Sequence, residues 1–246
     1  MSHLYDTIGR HYRHYRQPDA RIAAAITSAL GDAATVVNVG AGAGSYEPDA
    51  RRVVAVEPSI EMVRQRPASS APVVRASAID LPFRGRAFDA ALAVLTVHHW
   101  PDRAAGIREM VRVARRSVVI FTWFPRLARF WLTDEYFPEL VALDEELFPT
   151  ADEYRALLGR VEIVPVPVPR DCTDGFLAAY WSRPARYLDA GVRGAMSTFT
   201  KIADPEPALA RLRRDLDDGT WARRHGDVLS RDAFDAGYRL VIARQG

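Results

Sequence analysis

A chain of 246 residues, 48% hydrophobic and 26% charged, suits one globular domain with room for a large insertion. Its formal charge of +2 comes from arginines mixed among acids; even the densest basic stretch, Arg211 to Arg224, also holds Asp215, Asp217 and Asp218, which excludes a dedicated nucleic-acid footprint. Cys172 is the single cysteine, which excludes an internal disulfide, a thiolate metal cluster and a redox pair. Apolar runs stay well short of the roughly 20 residues that cross a bilayer, and residues 1–17 are too polar for a secretory signal, so a cytoplasmic protein with no membrane partner is expected.

Taken in chain order, Asp19 to Leu30 reads as a helix, with Pro18 just before it and Gly31 just after. Short apolar runs follow at Thr35 to Val39, Arg52 to Val56, Val73 to Ser77, Ala90 to Leu95 and Ser117 to Trp123, each continuous enough for a strand covered on both faces. Helical spacing lies between them at Ser59 to Arg66 and Ala104 to Arg115. In the second of these, Ile107, Met110, Val111 and Ala114 form one stripe. Strands alternating with helices predict a mostly parallel α/β sheet.

Beyond Trp123 the rhythm changes. Residues 124–149 are aromatic and proline-containing, which reads as a lid or cap. Ala151 to Leu158 then suits a last crossover helix, Val161 to Val166 an edge strand among prolines, and Tyr238 to Ala243 a closing strand after a helical insertion over about 174–234. The expected organisation is an N-terminal flap and helix over 1–35, a core over 36–123, the cap over 124–149, and over 150–246 the end of the sheet with its insertion.

The first strand runs into Gly40-Ala41-Gly42-Ala43-Gly44, where missing side chains let backbone N–H groups approach a ligand. Ser45 stands where a dinucleotide G-x-G-x-x-G turn places its third glycine, so this is not an ordinary pyrophosphate turn. Glu57 ends the second strand, where a carboxylate either accepts bonds from both ribose hydroxyls of an adenosine or caps the following helix. Gly40-x-Gly42-x-Gly44, Glu57, Leu81-Pro82-Phe83, Phe88-Asp89 and His98-His99-Trp100-x-Asp102 follow one another at spacings that resemble the class I S-adenosylmethionine-dependent methyltransferases, in the branch that mostly modifies small molecules.

That resemblance implies a Rossmann-like, mostly parallel seven-stranded sheet with helices on both faces plus helical cap insertions, S-adenosylmethionine as cofactor and a small-molecule methyl acceptor. By position, it places Gly40, Ala41 and Gly42 against the methionine portion and ribose, and Glu57 on the ribose hydroxyls. Pro58 and Met62 flank the adenine, Ser77, Ala78 and Ile79 edge it, and the backbone at Val94 and Leu95 meets the amino group. Asn38 stands where the family commonly has an acid. Among Tyr5, His11, Tyr12, Tyr15 and Arg16, the family's flap implies Tyr12 over the cofactor and Arg16 on its carboxylate; tyrosines packed on the sheet edge are the alternative.

Methyl transfer needs a positioned nucleophile more than a base. Where a proton must leave, His98 is the first candidate base and His99 the second, beside a reading in which they only shape the loop. Trp123, Phe124, Trp131 and Tyr136, with Tyr180, Trp181 and Tyr187, are the candidate acceptor contacts. No metal-ligand spacing is present, and a monomer or homodimer is expected. Two rivals stay open: a cofactor-binding protein of the same fold without transfer activity, and a nicotinamide-dependent oxidoreductase, which the turn's spacing and the absence of a Tyr-x-x-x-Lys pair disfavour.

Overall fold

The computed structural model describes residues 15–127 and 129–245. Helix α1 (Ala20–Ala29) starts where the Asp19 carboxylate accepts the Arg21 N–H and stops at Gly31, whose φ of 60° turns the chain. Strands β1 (Thr35–Val39) and β2 (Arg52–Val56) follow, then α2 (Ile60–Arg64), β3 (Val73–Val74), β4 (Phe88–Val94), α3 (Arg103–Val113) and β5 (Ala114–Trp123). The later chain adds α4 (Pro138–Leu147), α5 (Ala151–Leu158), β6 (Val161–Pro165), β7 (Val168–Pro169), α6 (Ala190–Gly194), α7 (Glu206–Asp217), α8 (Thr220–His225), β8 (Ala233–Phe234) and β9 (Tyr238–Arg244).

Seven strands form one sheet in the order β3-β2-β1-β4-β5-β9-β6. The pairings β2–β3, β1–β2, β1–β4 and β4–β5 are parallel, whereas β9 runs antiparallel to both β5 and β6. The order reverses direction between β1 and β4. Loops leaving these two strands therefore part to opposite sides and open a crevice at their carboxyl ends. Both faces are covered: one buried cluster joins α1 to the cap and insertion, and the other joins α3 and α5 to the sheet.

Three details depart from the sequence reading. The third strand is two residues long, so Arg75, Ala76 and Ser77 lie outside it. The buried stripe of α3 is Ile107, Met110 and Val113, because Ala114 already belongs to β5 and Val111 is half-buried. A short ribbon not expected from the sequence follows the edge strand β6: β7, which contains Pro169, pairs antiparallel with β8.

Asp89 pins the β1–β4 junction. Its Oδ2 accepts the Ala34 and Thr35 N–H groups and the Thr35 hydroxyl at 2.8–3.0 Å, and Arg115 pairs with its Oδ1. Burial opposes its ionisation, but the bonds from Thr35 and Arg115 prevail and hold the carboxyl at about 2. Its stabilisation is thus present above the ordinary carboxylate range and lost as the pH falls through about 2. Asp89→Ala is expected to cost about 1–3 kcal/mol at pH 7 by stranding these donors. Denaturant titrations should show the gap from wild type shrinking toward pH 2; a gap that is constant with pH would remove the carboxylate from this role.

Candidate active site

At the carboxyl ends of β1, β2 and β4 lies a cavity of about 310 Å³. The glycine turn forms one wall. Gly40, Gly42 and Gly44 have φ values of 72°, 52° and 93°, in the left-handed region that disfavours side chains. A Cβ on Gly40 would overlap the Thr96 side chain from the loop after β4, so the two loops touch only because Gly40 lacks one. A Cβ on Gly42 would lie 3.3 Å from Met62 Cε. Arg66 and Glu47 brace the turn from behind as a buried ion pair at 2.7 Å, with Arg66 also donating to the Gly42 carbonyl.

Glu57 ends β2 with its carboxylate in the cavity wall. One oxygen accepts the Gly42 N–H at 2.8 Å and the other the Ser59 N–H at 2.9 Å. Burial raises its proton affinity, opposed by these two bonds. Asn38, 1% exposed, also faces the cavity, and neither its Oδ1 nor its Nδ2 has a hydrogen-bond partner. A buried amide left unpaired costs on the order of 1–3 kcal/mol, so a polar ligand group belongs beside it.

The cavity gathers most of the residues expected at a cofactor: Arg16, Asn38, Gly40, Ala41, Gly42, Glu57, Pro58, Met62, Ser77, Ala78, Val94 and Leu95. Leu95 has a φ of 47°, a strained value for a side chain of its size, at the point where the chain leaves β4. Ile79 is the exception. It is 39% exposed and absent from the lining, since the chain turns away after Ala78. Tyr5, His11 and Tyr12 lie outside the described residues. Arg16 lines the cavity with its Nε 2.5 Å from Asp174, which also accepts the Tyr46 hydroxyl at 2.9 Å. Tyr46, Thr96, Trp100 and Pro101 also line the cavity, without having been expected there.

A second, smaller cavity of about 60 Å³ shares Arg16, Leu95 and His99 with the first. Here the aromatic expectation needs correction. Trp123 lines this cavity, whereas Phe124 packs edge-on to Tyr154 in the core on the α3 face. Trp131, Tyr136, Tyr180, Trp181 and Tyr187 are core or anchoring groups of the cap and insertion and line neither cavity. The Trp131 indole donates to the Trp181 carbonyl, the Trp181 indole to the Val168 carbonyl and the Tyr136 hydroxyl to Asp215. The wall instead comes from Phe148, Phe176, Leu177, Met196, Thr198, Tyr238 and Asp144.

His98 and His99 lie on a single 3-10 turn, Val97–His99, and Trp100 after them packs against Gly106 of α3. His98 stacks on Phe148 with ring centroids 3.9 Å apart and lines the second cavity alone, while His99 lines both. Burial pushes His98 well below the ordinary imidazole range and His99 down to about 3, so both stay neutral and hold a proton poorly. A general base at His98 does not suit this setting. Asp144 is the group of opposite character: 2% exposed, accepting the Thr198 hydroxyl at 2.6 Å, and raised by burial to about 6.

Residues 37–122 match a methyltransferase-domain family model. A protein of Anabaena variabilis, assigned as a methyltransferase of an antibiotic biosynthesis pathway, is 34% identical over 93% of this chain and 98% of its own, with a TM-score of 0.85. The chain belongs to the class I S-adenosylmethionine-dependent methyltransferases. S-adenosylmethionine is its cofactor. An uncharacterized methyltransferase of Bacillus subtilis, YcgJ, is 28% identical over 121 residues, a stretch that spans 44% of that relative. Its crystal structure shares the fold, at 18% identity over 92% of this chain and 99% of that one with a TM-score of 0.53. Among the described residues, no helix is long and apolar enough to cross a membrane, and no three His, Cys, Asp or Glu side chains gather as a metal site. Burial raises the Cys172 thiol to about 12, which leaves it unreactive.

Two measurements check this geometry. Gly40→Ala is expected to weaken S-adenosylmethionine binding at least tenfold, since the added methyl meets Thr96 at a φ that itself costs about 1–2 kcal/mol. Partial recovery in Gly40→Ala/Thr96→Ala would identify the overlap, and full affinity in the single variant would mean that the loops do not approach so closely. Burial favours protonated Asp144 in the folded chain, so its stability contribution is complete below about pH 4 and declines as the pH rises through about 6. Asp144→Asn is thus expected to gain on the order of 2–3 kcal/mol over wild type between pH 4 and pH 8. Melting curves with parallel pH dependence would contradict that.

Proposed function

We propose that the chain transfers a methyl group from S-adenosylmethionine in the first cavity to a small-molecule acceptor in the second, acting in the cytoplasm. The observation that carries this reading is the shared wall: Arg16, Leu95 and His99 border both spaces, so a molecule in the second lies against a cofactor in the first. The cofactor supplies a methyl carbon already activated by its sulfonium. What the protein must add is alignment at about 3 Å and exclusion of water.

Each part has residues suited to it. Glu57, held by Gly42 and Ser59, is fixed to accept the ribose hydroxyls. Asn38 offers an acceptor and a donor to the amino-acid end, without the charge of a carboxylate. Pro58 and Met62 present apolar surface to a flat base. Trp123, Phe148, Phe176 and Tyr238 bound the second cavity with rings, and its small volume excludes a polymer from that space. The antibiotic-pathway assignment of the Anabaena variabilis relative points toward the same class of acceptor.

Isothermal titration separates this from the oxidoreductase reading: S-adenosylmethionine and its demethylated product are expected to bind, and NAD is not. Glu57→Ala is expected to weaken cofactor binding by about 1–3 kcal/mol, the cost of leaving polar groups unmatched in a buried site. Tight NAD binding with no response to the methyl donor would overturn the reading. Activity is read as S-adenosylhomocysteine release over a panel of small acceptors, and a cofactor-loaded protein silent on every member would count against transfer.

A further inference from the structure

We propose that the methyl acceptor carries a protonated amine, and that the carboxylate of Asp144 holds it in the second cavity. The inference rests on the small-molecule reading above and names the chemistry of that molecule. Asp144 sits one turn after Leu140 on the buried face of α4, where an ionised group is costly unless a counter-charge meets it. One of its oxygens accepts the Thr198 hydroxyl at 2.6 Å. The other accepts no hydrogen bond, and no cation lies within ion-pair distance of either, among the described residues. The cavity therefore presents a charged acceptor whose partner is still to come.

The surrounding groups leave that partner to the ligand. Lys201 acts on Asp144 electrostatically but is exposed and lies beyond ion-pair reach. Arg16, the cation in the cavity wall, is already bound to Asp174. His98 and His99 remain neutral, so they supply no positive charge. An acceptor bearing a carboxylate or phosphate would meet like charge, and a neutral alcohol would leave Asp144 uncompensated. The faces of the flanking aromatic rings, by contrast, attract a cation. With about 60 Å³, the cavity has room for an ammonium and a few carbons, the rest of the molecule extending toward the methyl group.

The test uses matched ligands on the protein loaded with S-adenosylhomocysteine. Isothermal titration at pH 8 compares 2-phenylethylamine, 2-phenylethanol and 3-phenylpropionate, with methylamine, ethylamine and their alcohols as smaller pairs. At least one amine is expected to bind ten times or more tightly than its alcohol, and the carboxylate not at all. Asp144→Asn should erase that preference while S-adenosylhomocysteine affinity stays within twofold, because Asn still accepts the Thr198 hydroxyl. Equal binding of amines and alcohols by the wild-type protein, tighter binding of the carboxylate, or an amine preference that survives Asp144→Asn would overturn the proposal. The wild-type comparison decides even if the variant folds poorly. Amine preference without transfer to any probe would count against the transfer reading and leave only the cation site at Asp144 standing; transfer to alcohols without amine preference would do the reverse.

Discussion

Everything at the site depends on two loops being allowed to touch. The chain leaving β1 and the chain leaving β4 diverge because the sheet order reverses between them, and a crevice with divergent walls would be too wide to grip a nucleoside. Gly40 narrows it. With no Cβ, its backbone comes against Thr96, which brings the glycine turn within reach of Glu57 and the β4 exit. Asp89 serves the same junction from the far end by tying the start of β1 to β4. The crevice is therefore set at both ends of one strand pair, by an absent side chain at one and a carboxylate at the other.

The site is stabilised for binding at the expense of the fold. Glu57 and Asp144 are buried carboxylates whose surroundings favour the proton, and Asn38 is a buried amide with neither partner filled. Each destabilises the folded chain on its own. The sheet tolerates them because its centre is packed with fully buried apolar residues such as Val36, Leu92, Val119 and Ile120. Ligands that match these groups would return that stability, so binding and folding are linked here through the same few atoms.

The central sheet was legible from sequence because its strands are continuous apolar runs and its turns are marked by glycine; β1 and β2 begin and end where their residues predict. The wall of the first cavity was legible for a related reason, as residues at strand ends are placed by the sheet. Ile79 escaped because it lies beyond a strand that stops at Val74, where nothing local fixes its direction. The cap was opaque. Aromatic residues bury themselves equally well in a core or a pocket, and Trp131, Trp181 and Tyr187 chose the core through carbonyl partners distant in sequence. Asp144 left a faint trace, an acid four residues after Leu140 and three before Leu147, hidden by the acids Glu145 and Glu146 beside it.

The ribbon of β7 and β8 has a wider bearing. The insertion that supplies Phe176, Met196 and Thr198 leaves after β6 and returns at β9, and these strands are direct neighbours in the sheet. To the sheet, the whole excursion is one long hairpin loop whose stem is already zipped. The entropy of closing such a loop grows only with the logarithm of its length. Its contents can be rewritten, lengthened or exchanged with little consequence for strand register, provided that Asp174 keeps its bonds to Arg16 and Tyr46 in the wall of the first cavity.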